Sequence, residues 1–233
     1  MVDKCVKKDF EKYISKQDHK WEFANNVLYD MCDSNPNHSD PDIIVGKILL
    51  IGRSYAAAIE RRKDVHKDVD NDTFYYSVVA PQLHAVGNKL DAKINAIKKG
   101  KGTIKDNICD ILDTHCYLMN IFNAISNLNK RSLASKYLHF HCREKFFIFD
   151  SRAQGAVKQL VTKPEKIILN SMKVYDNNIY NDNGDKYYDK EYGDFVCRMI
   201  ELQNYLKEEM EMIVSPRILY SFLLSKSDHN GGR

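Results

Sequence analysis

The densest collection of chemically capable side chains lies in the run KRSLASKYLHFHCREKFFIFD at 130–150. It holds Lys130, Arg131, Ser132, Lys136, His139, His141 and Asp150. A neutral lysine amine can attack a sugar carbon and form a Schiff base, a reaction closed to a serine hydroxyl. A fixed aspartate beside a breaking glycosidic bond stabilises the positive charge that builds on the sugar, and can orient or deprotonate a water. Asp150 also opens the segment SRAQGAVKQL, where its carboxylate suits an N-cap; the two roles are compatible. His139 and His141, two apart on a helix, point roughly 200° apart and cannot share one metal ion. Cys109 and Cys116 are two turns apart and read as core. No metal and no cofactor are expected.

This segment resembles the core of the helix-hairpin-helix family of DNA glycosylases, in the branch of the 8-oxoguanine and adenine-mismatch enzymes. In that family a lysine, or a residue replacing it, begins a helix at a set interval before the aspartate that opens the next one. Ser132 and Asp150 stand 18 positions apart in that register. The apolar run FFIF at 146–149 resembles the family's link into its aspartate, and Arg131–Ser132 resembles the arginine–serine pair of the adenine-mismatch enzymes. The resemblance implies that Asp150 and Ser132 occupy the catalytic positions and that a base is removed from double-stranded DNA by hydrolysis, without strand cleavage. Within the same family, Lys130 or Lys136 as nucleophile gives the alternative, a bifunctional glycosylase and lyase.

Such an enzyme rotates its target base out of the stack into a pocket of aromatic and polar groups. Arg53, Tyr55, Tyr75 and Tyr76 are the pocket candidates. Lys130, Arg131 and Lys136 are the DNA-binding candidates; the hairpin SNLNKRS lacks the family's glycines, so side-chain contacts to phosphate would have to replace backbone ones. Only Cys197 follows Cys142, too few thiols for the iron-sulfur cluster of some members. Which base is removed, and whether for repair or for defence against modified phage DNA, stays open. A non-catalytic nucleic-acid-binding or interaction module on the same fold is the competing class.

The elements that must position these residues follow from apolar spacing. Helices are predicted over 20–32, 41–62, 74–98 with a bend at Pro81, 103–127, 131–141, 151–161, 190–212 and onward from 215. Ser39, Asp40 and Pro41 mark the start of the second. Ile44, Ile48, Ile51, Tyr55 and Ile59 form its stripe. A charged loop is predicted over 63–72, and Asn183–Gly184 between aromatic flanks suggests a tight β-hairpin near 179–188. The expected architecture is mainly α: a two-lobed helical bundle of the glycosylase type, one domain over 1–233 with its catalytic segment at 103–161.

Composition sets the outer limits. Apolar residues at 43% and charged residues at 29% are the balance of a chain that folds by itself. Gly46 and Lys47 interrupt the longest apolar stretch, so no membrane span is expected, and MVDKCVKKDFEKY lacks the apolar core of a secretory signal. A cytoplasmic monomer with free thiols is expected. A net charge of +3 permits nucleic-acid binding without signalling it.

Overall fold

The computed structural model describes residues 1–16, 21–165, 172–176 and 184–230. In chain order these form α1 (Val6–Ser15), α2 (Glu22–Ser34), α3 (Pro41–Ser54), α4 (Asn71–Phe74), a π-helical turn (Tyr75–Val79), α5 (Ala80–Ala85) and α6 (Gly87–Lys99). There follow α7 (Ile108–Ser126), α8 (Arg131–His141), α9 (Ser151–Leu160), the short strands β1 (Lys173–Val174) and β2 (Tyr187–Tyr188), α10 (Lys190–Met210) and α11 (Pro216–Asn230). The chain is mainly helical, as its periodicity predicts. No described helix is long and apolar enough to cross a membrane.

The axis of the fold is α7. Ile111, Leu112, Leu118, Met119, Phe122 and Ile125 are buried on overlapping faces, which a helix tolerates only when neighbours surround it. Here α5, α6, α8 and β2 surround it. Each fully buried side chain of this size contributes about 1.5–3 kcal/mol. Outside this centre, α9 packs between α10 and α11, and α1 lies against both of those last helices. Phe10 of α1 meets Phe222 of α11 edge to face at 5.1 Å.

Helix starts follow the sequence closely. Asp40 caps α3 through Asp42 N at 2.9 Å, with Pro41 in the first turn. Asp150 caps α9 through Ala153 N at 2.8 Å, and Asp189 caps α10 through Tyr192 N at 2.7 Å. Each supplies an acceptor to an amide that has no partner inside its helix.

Helix interiors differ more from the prediction. The helix expected over 41–62 ends at Ser54. Beyond it Ala56 takes a left-handed conformation at φ 52°, and the chain doubles back so closely that a Cβ on Gly52 would lie 3.0 Å from the Cα of Ala58. Ile59 is still fully buried; its spacing reported burial rather than helix. The helix expected over 74–98 is broken into the π-helical turn, α5 and α6. A wide turn just ahead of Pro81 accommodates its ring and missing donor, and Val86, at φ −104° and ψ 3°, separates α5 from α6. Residues 104–107 are turns instead of the first turn of α7, because the Asp106 carboxylate takes the Thr103 amide and hydroxyl at 2.7 Å each. At the far end α10 stops at Met210, with Glu211 left-handed at φ 55°. Helix α1 has no counterpart in the sequence reading.

The hairpin expected near 179–188 is also revised. Asn183 lies outside the described residues, but Tyr187–Tyr188 does form a strand, and its partner is Lys173–Val174 in parallel register. The pairing is set by burial of both tyrosines against α7, not by a two-residue turn.

Candidate active site

The link between α7 and α8 turns without glycine. Asn127 adopts the left-handed conformation at φ 56° and closes α7 through its amide to Asn123 O at 2.7 Å, a conformation asparagine tolerates better than most residues. The link is tied to the loop after α3: Asp64 N donates to Ser126 O at 2.9 Å, Asn127 Nδ2 to Asp64 at 3.0 Å, and Lys130 Nζ to Arg61 O at 2.5 Å.

Arg131, the first residue of α8, places a positive charge where the helix dipole disfavours one. Carboxylates offset it. Asp189 accepts from Nε at 2.5 Å and from a terminal nitrogen at 2.8 Å, and Glu191 lies 2.6 Å from the other. The ion pair thus joins the start of α8 to the start of α10.

One turn further, Ser132, Ser135 and Lys136 share a face of α8 by their i, i+3, i+4 spacing. The two hydroxyls grip the main chain of a single residue, Phe149. Ser132 Oγ donates to Phe149 O at 3.0 Å, while Phe149 N donates to Ser135 Oγ at 3.0 Å. Phe146, Phe147, Ile148 and Phe149 are all buried, so the apolar run is anchored along its length and delivers Asp150 to the same face.

Lys136 completes the arrangement. Its side chain is 3% exposed and its amine lies 3.9 Å from Asp150 Oδ2, donates to Ser132 Oγ at 2.9 Å and to Tyr55 O at 3.1 Å. Burial lowers the amine to about 8, although the Asp150 charge pulls the other way. At an effective dielectric of roughly 20 that attraction is on the order of 4 kcal/mol, which desolvation outweighs here.

The remaining walls come from distant parts of the chain. Tyr220 of α11 donates to Asp150 Oδ2 at 2.5 Å. Arg217, one turn earlier, donates to Tyr55 OH at 2.7 Å and lies 5.5 Å from the rings of both Tyr55 and Tyr220. Tyr55 in turn donates to Asn25 Oδ1 at 2.6 Å. Burial raises both phenols far above their usual range, and for Tyr220 the Asp150 charge adds to it. Among the described residues Arg217 is paired with no carboxylate. It therefore presents a half-buried cation beside an amine and a carboxylate.

The predicted residues divide accordingly. Asp150, Ser132, Lys136 and Tyr55 converge. Arg53 and Tyr75 gather instead around Glu60, at 3.2 and 2.5 Å, and among the described residues no hydrogen bond or ion pair joins that cluster to Asp150. Tyr76 is exposed. Of the DNA-binding candidates, Arg131 is held by two carboxylates, Lys130 by a carbonyl, and Lys136 is interior. Arg217, Tyr220 and Asn25 were not singled out from the sequence. An arginine and a tyrosine at i and i+3 in a helix of apolar neighbours were the one signal available.

His139 and His141 are buried on other faces of α8. His139 bonds Tyr29 OH at 2.7 Å and Phe146 O at 2.8 Å, while His141 stacks against His38. Among the described residues no group of histidine, cysteine and carboxylate side chains could hold a metal ion. A separate cavity of about 400 Å³, bordered by Lys105, Lys163, Glu165, Glu201 and Asn204, shares no residue with the Asp150 cluster. No protein-family model, curated protein or solved structure matches the chain.

Proposed function

We propose that the chain is a DNA N-glycosylase, built as a two-lobed helical bundle of that type, whose reacting pair is Lys136 and Asp150. The observation that carries this is a single one: a 3% exposed lysine amine 3.9 Å from a helix-capping carboxylate, lowered by burial to about 8. An amine so placed is partly neutral near physiological pH, and only the neutral form is a nucleophile. Its lone pair attacks C1′ of the damaged nucleotide. The C1′–N bond breaks with its electrons passing to the base, which takes up a proton as it leaves. Asp150 stabilises the sugar cation that develops and accepts the proton shed by the amine. The adduct then opens to a Schiff base, from which β-elimination can follow. Arg217, Tyr55 and Tyr220 supply the aromatic and polar surface that a rotated-out base requires.

Borohydride trapping on duplexes carrying oxidised, alkylated, mismatched or virus-type modified bases tests the proposal, because the Schiff base becomes a stable amine on reduction. Wild type is expected to give a covalent protein–DNA adduct. Lys136→Gln should give none, and Asp150→Asn should release base roughly a hundredfold more slowly or worse.

One observation favours a second reading. Ser132 Oγ, Tyr55 O and Asp150 surround the Lys136 amine with three oxygens, a setting that also suits a permanent ammonium. In that case Asp150 activates water and the enzyme is monofunctional. Base release without a trapped adduct supports this second reading; no release from any duplex overturns both and leaves a non-catalytic module.

A further inference from the structure

We infer that Tyr220 is a positioning residue whose phenol holds the Asp150 carboxylate away from the Lys136 amine. The inference rests on the reading of Lys136 and Asp150 as a reacting pair, and adds what keeps them from collapsing into an ordinary ion pair. A lysine and a carboxylate free to approach each other settle at about 2.7–2.9 Å. Here they stop at 3.9 Å, and both carboxylate oxygens show why. Oδ1 accepts from Ala153 N at 2.8 Å, which fixes one end on the α9 amides. Oδ2 accepts from Tyr220 OH at 2.5 Å, the same oxygen that faces Lys136. With both ends tethered, the carboxylate cannot swing toward the amine.

The tether is itself rigid. Tyr220 is 5% exposed and its helix neighbours Leu219, Phe222 and Leu223 are fully buried, so α11 is locked onto α9. Asp150 faces the amine from the start of α9, with Tyr220 and Arg217 of α11 behind it, and Tyr55 at the end of α3 lies 5.8 Å away by its ring. Among the described residues Asp150 is the one carboxylate that lowers the energy of the ammonium there, so the distance Tyr220 enforces governs how much of the amine is neutral.

The full chain, without DNA, carries the test. Protein labelled with ¹³C at the lysine ε-carbon is titrated by NMR, the Lys136 and Lys47 signals being identified by Lys136→Arg and Lys47→Arg. Lys47 is an internal reference, because it is fully buried against the carbonyls of Asn35 and Asn37 and burial also places it at about 8. Tyr220→Phe keeps the ring and removes the tether. The Lys136 midpoint is expected to rise by about one pH unit, as a freed carboxylate closes on the ammonium, while Lys47 stays where it was. Asp150→Asn combined with Tyr220→Phe should drop the Lys136 midpoint below that of wild type.

An unchanged Lys136 midpoint in Tyr220→Phe overturns the inference, and so does an equal movement of both lysines, which marks general loosening. If Tyr220→Phe does not fold, the ¹³C signal of Lys136 in Arg217→Lys, which leaves the phenol in place, must keep the wild-type midpoint. Because no DNA enters the experiment, failure here leaves the glycosylase reading standing, whereas a failed trapping experiment removes the reaction the tether would serve without altering the Lys136 midpoint.

Discussion

Lys136 and Lys47 are both buried lysines, one beside a carboxylate and one held by main-chain carbonyls. Both are lowered from 10.5 to about 8. A group lowered on folding binds its proton more weakly in the folded chain, so the unfolded chain carries more protons between those two values. Stability must therefore rise as pH increases from about 8 to 10.5, and the cost of the buried ammonium is fully present below 8. That cost is roughly 3 kcal/mol per lysine, because each pH unit between the folded and unfolded midpoints is worth about 1.4 kcal/mol. Lys136→Met should remove one proton's share of the rise. Urea unfolding of wild type and variant on either side of that window measures it; parallel curves would mean that Lys136 is solvated in the folded chain. Asp150 is legible in the sequence because a helix cap leaves a local mark, while Ser132 is named by the spacing that the family resemblance implies. For Arg217 and Tyr220 the i, i+3 spacing shows a shared face, but which face of α11 meets α9 is set by packing and is not encoded locally.

Between single residues and the whole stand the elements, and there local chemistry was legible where caps decide the outcome. The bounds of α8 and the starts of α3, α9 and α10 match their sequence signals because proline, aspartate and the apolar phase agree. Where long-range packing decides, they do not. Three consecutive alanines at 56–58 favour helix, yet the chain turns at Ala56 and folds back over Gly52. The parallel pairing of β1 with β2 is equally non-local. Helix α8 shows the energetic side of this, since its start depends on α10. Arg131 is 21% and Asp189 9% exposed by side chain. Burial pushes the Asp189 carboxyl up, but hydrogen bonding to Arg131 holds it below the usual range. Asp189 also caps α10, so Asp189→Ala removes a helix cap and strands a half-buried guanidinium on Glu191 alone. Breaking a pair of this kind costs about 3 kcal/mol. The loss should appear in urea unfolding at neutral pH, and Arg131→Met, which removes the charge as well, should cost less than Asp189→Ala. The reverse order would mean that the other contacts of Arg131, with Glu191 and the ring of Phe149, matter more to the start of α8 than its pair with Asp189.

At the scale of the whole molecule, four buried histidines sit at the seams of α7 and α8 with their neighbours. His38 bonds Asp91 of α6 at 2.5 Å and Tyr137 of α8 at 2.8 Å; His139 joins α8 to Tyr29 of α2. His115 of α7 donates from Nε2 to Arg131 O at 3.1 Å and stacks on Tyr192 of α10 at 3.6 Å. His141 lies between His38 and Tyr137. Burial lowers His38 and His115 to about 4 and His139 to about 3, and takes His141 well below its ordinary range. The fold thus keeps neutral imidazoles that the unfolded chain protonates from 6.5 downward. Because the unfolded state binds more protons in that window, stability is unpenalised above 6.5 and falls as pH drops toward 4, by about 1.4 kcal/mol per pH unit for each histidine. Four together would cancel a typical stability of 5–15 kcal/mol within roughly one to three pH units. The chain should therefore unfold cooperatively before pH 4. His141→Phe, which replaces an imidazole with no hydrogen-bond partner among the described residues, should make the fall shallower by one proton while leaving the fold intact at neutral pH. Urea unfolding repeated at successive pH values reads the slope. A stability that stayed level through this range would mean that the seams around α8 admit water and a proton, and the closed core that isolates Lys136 would have to be redrawn with them.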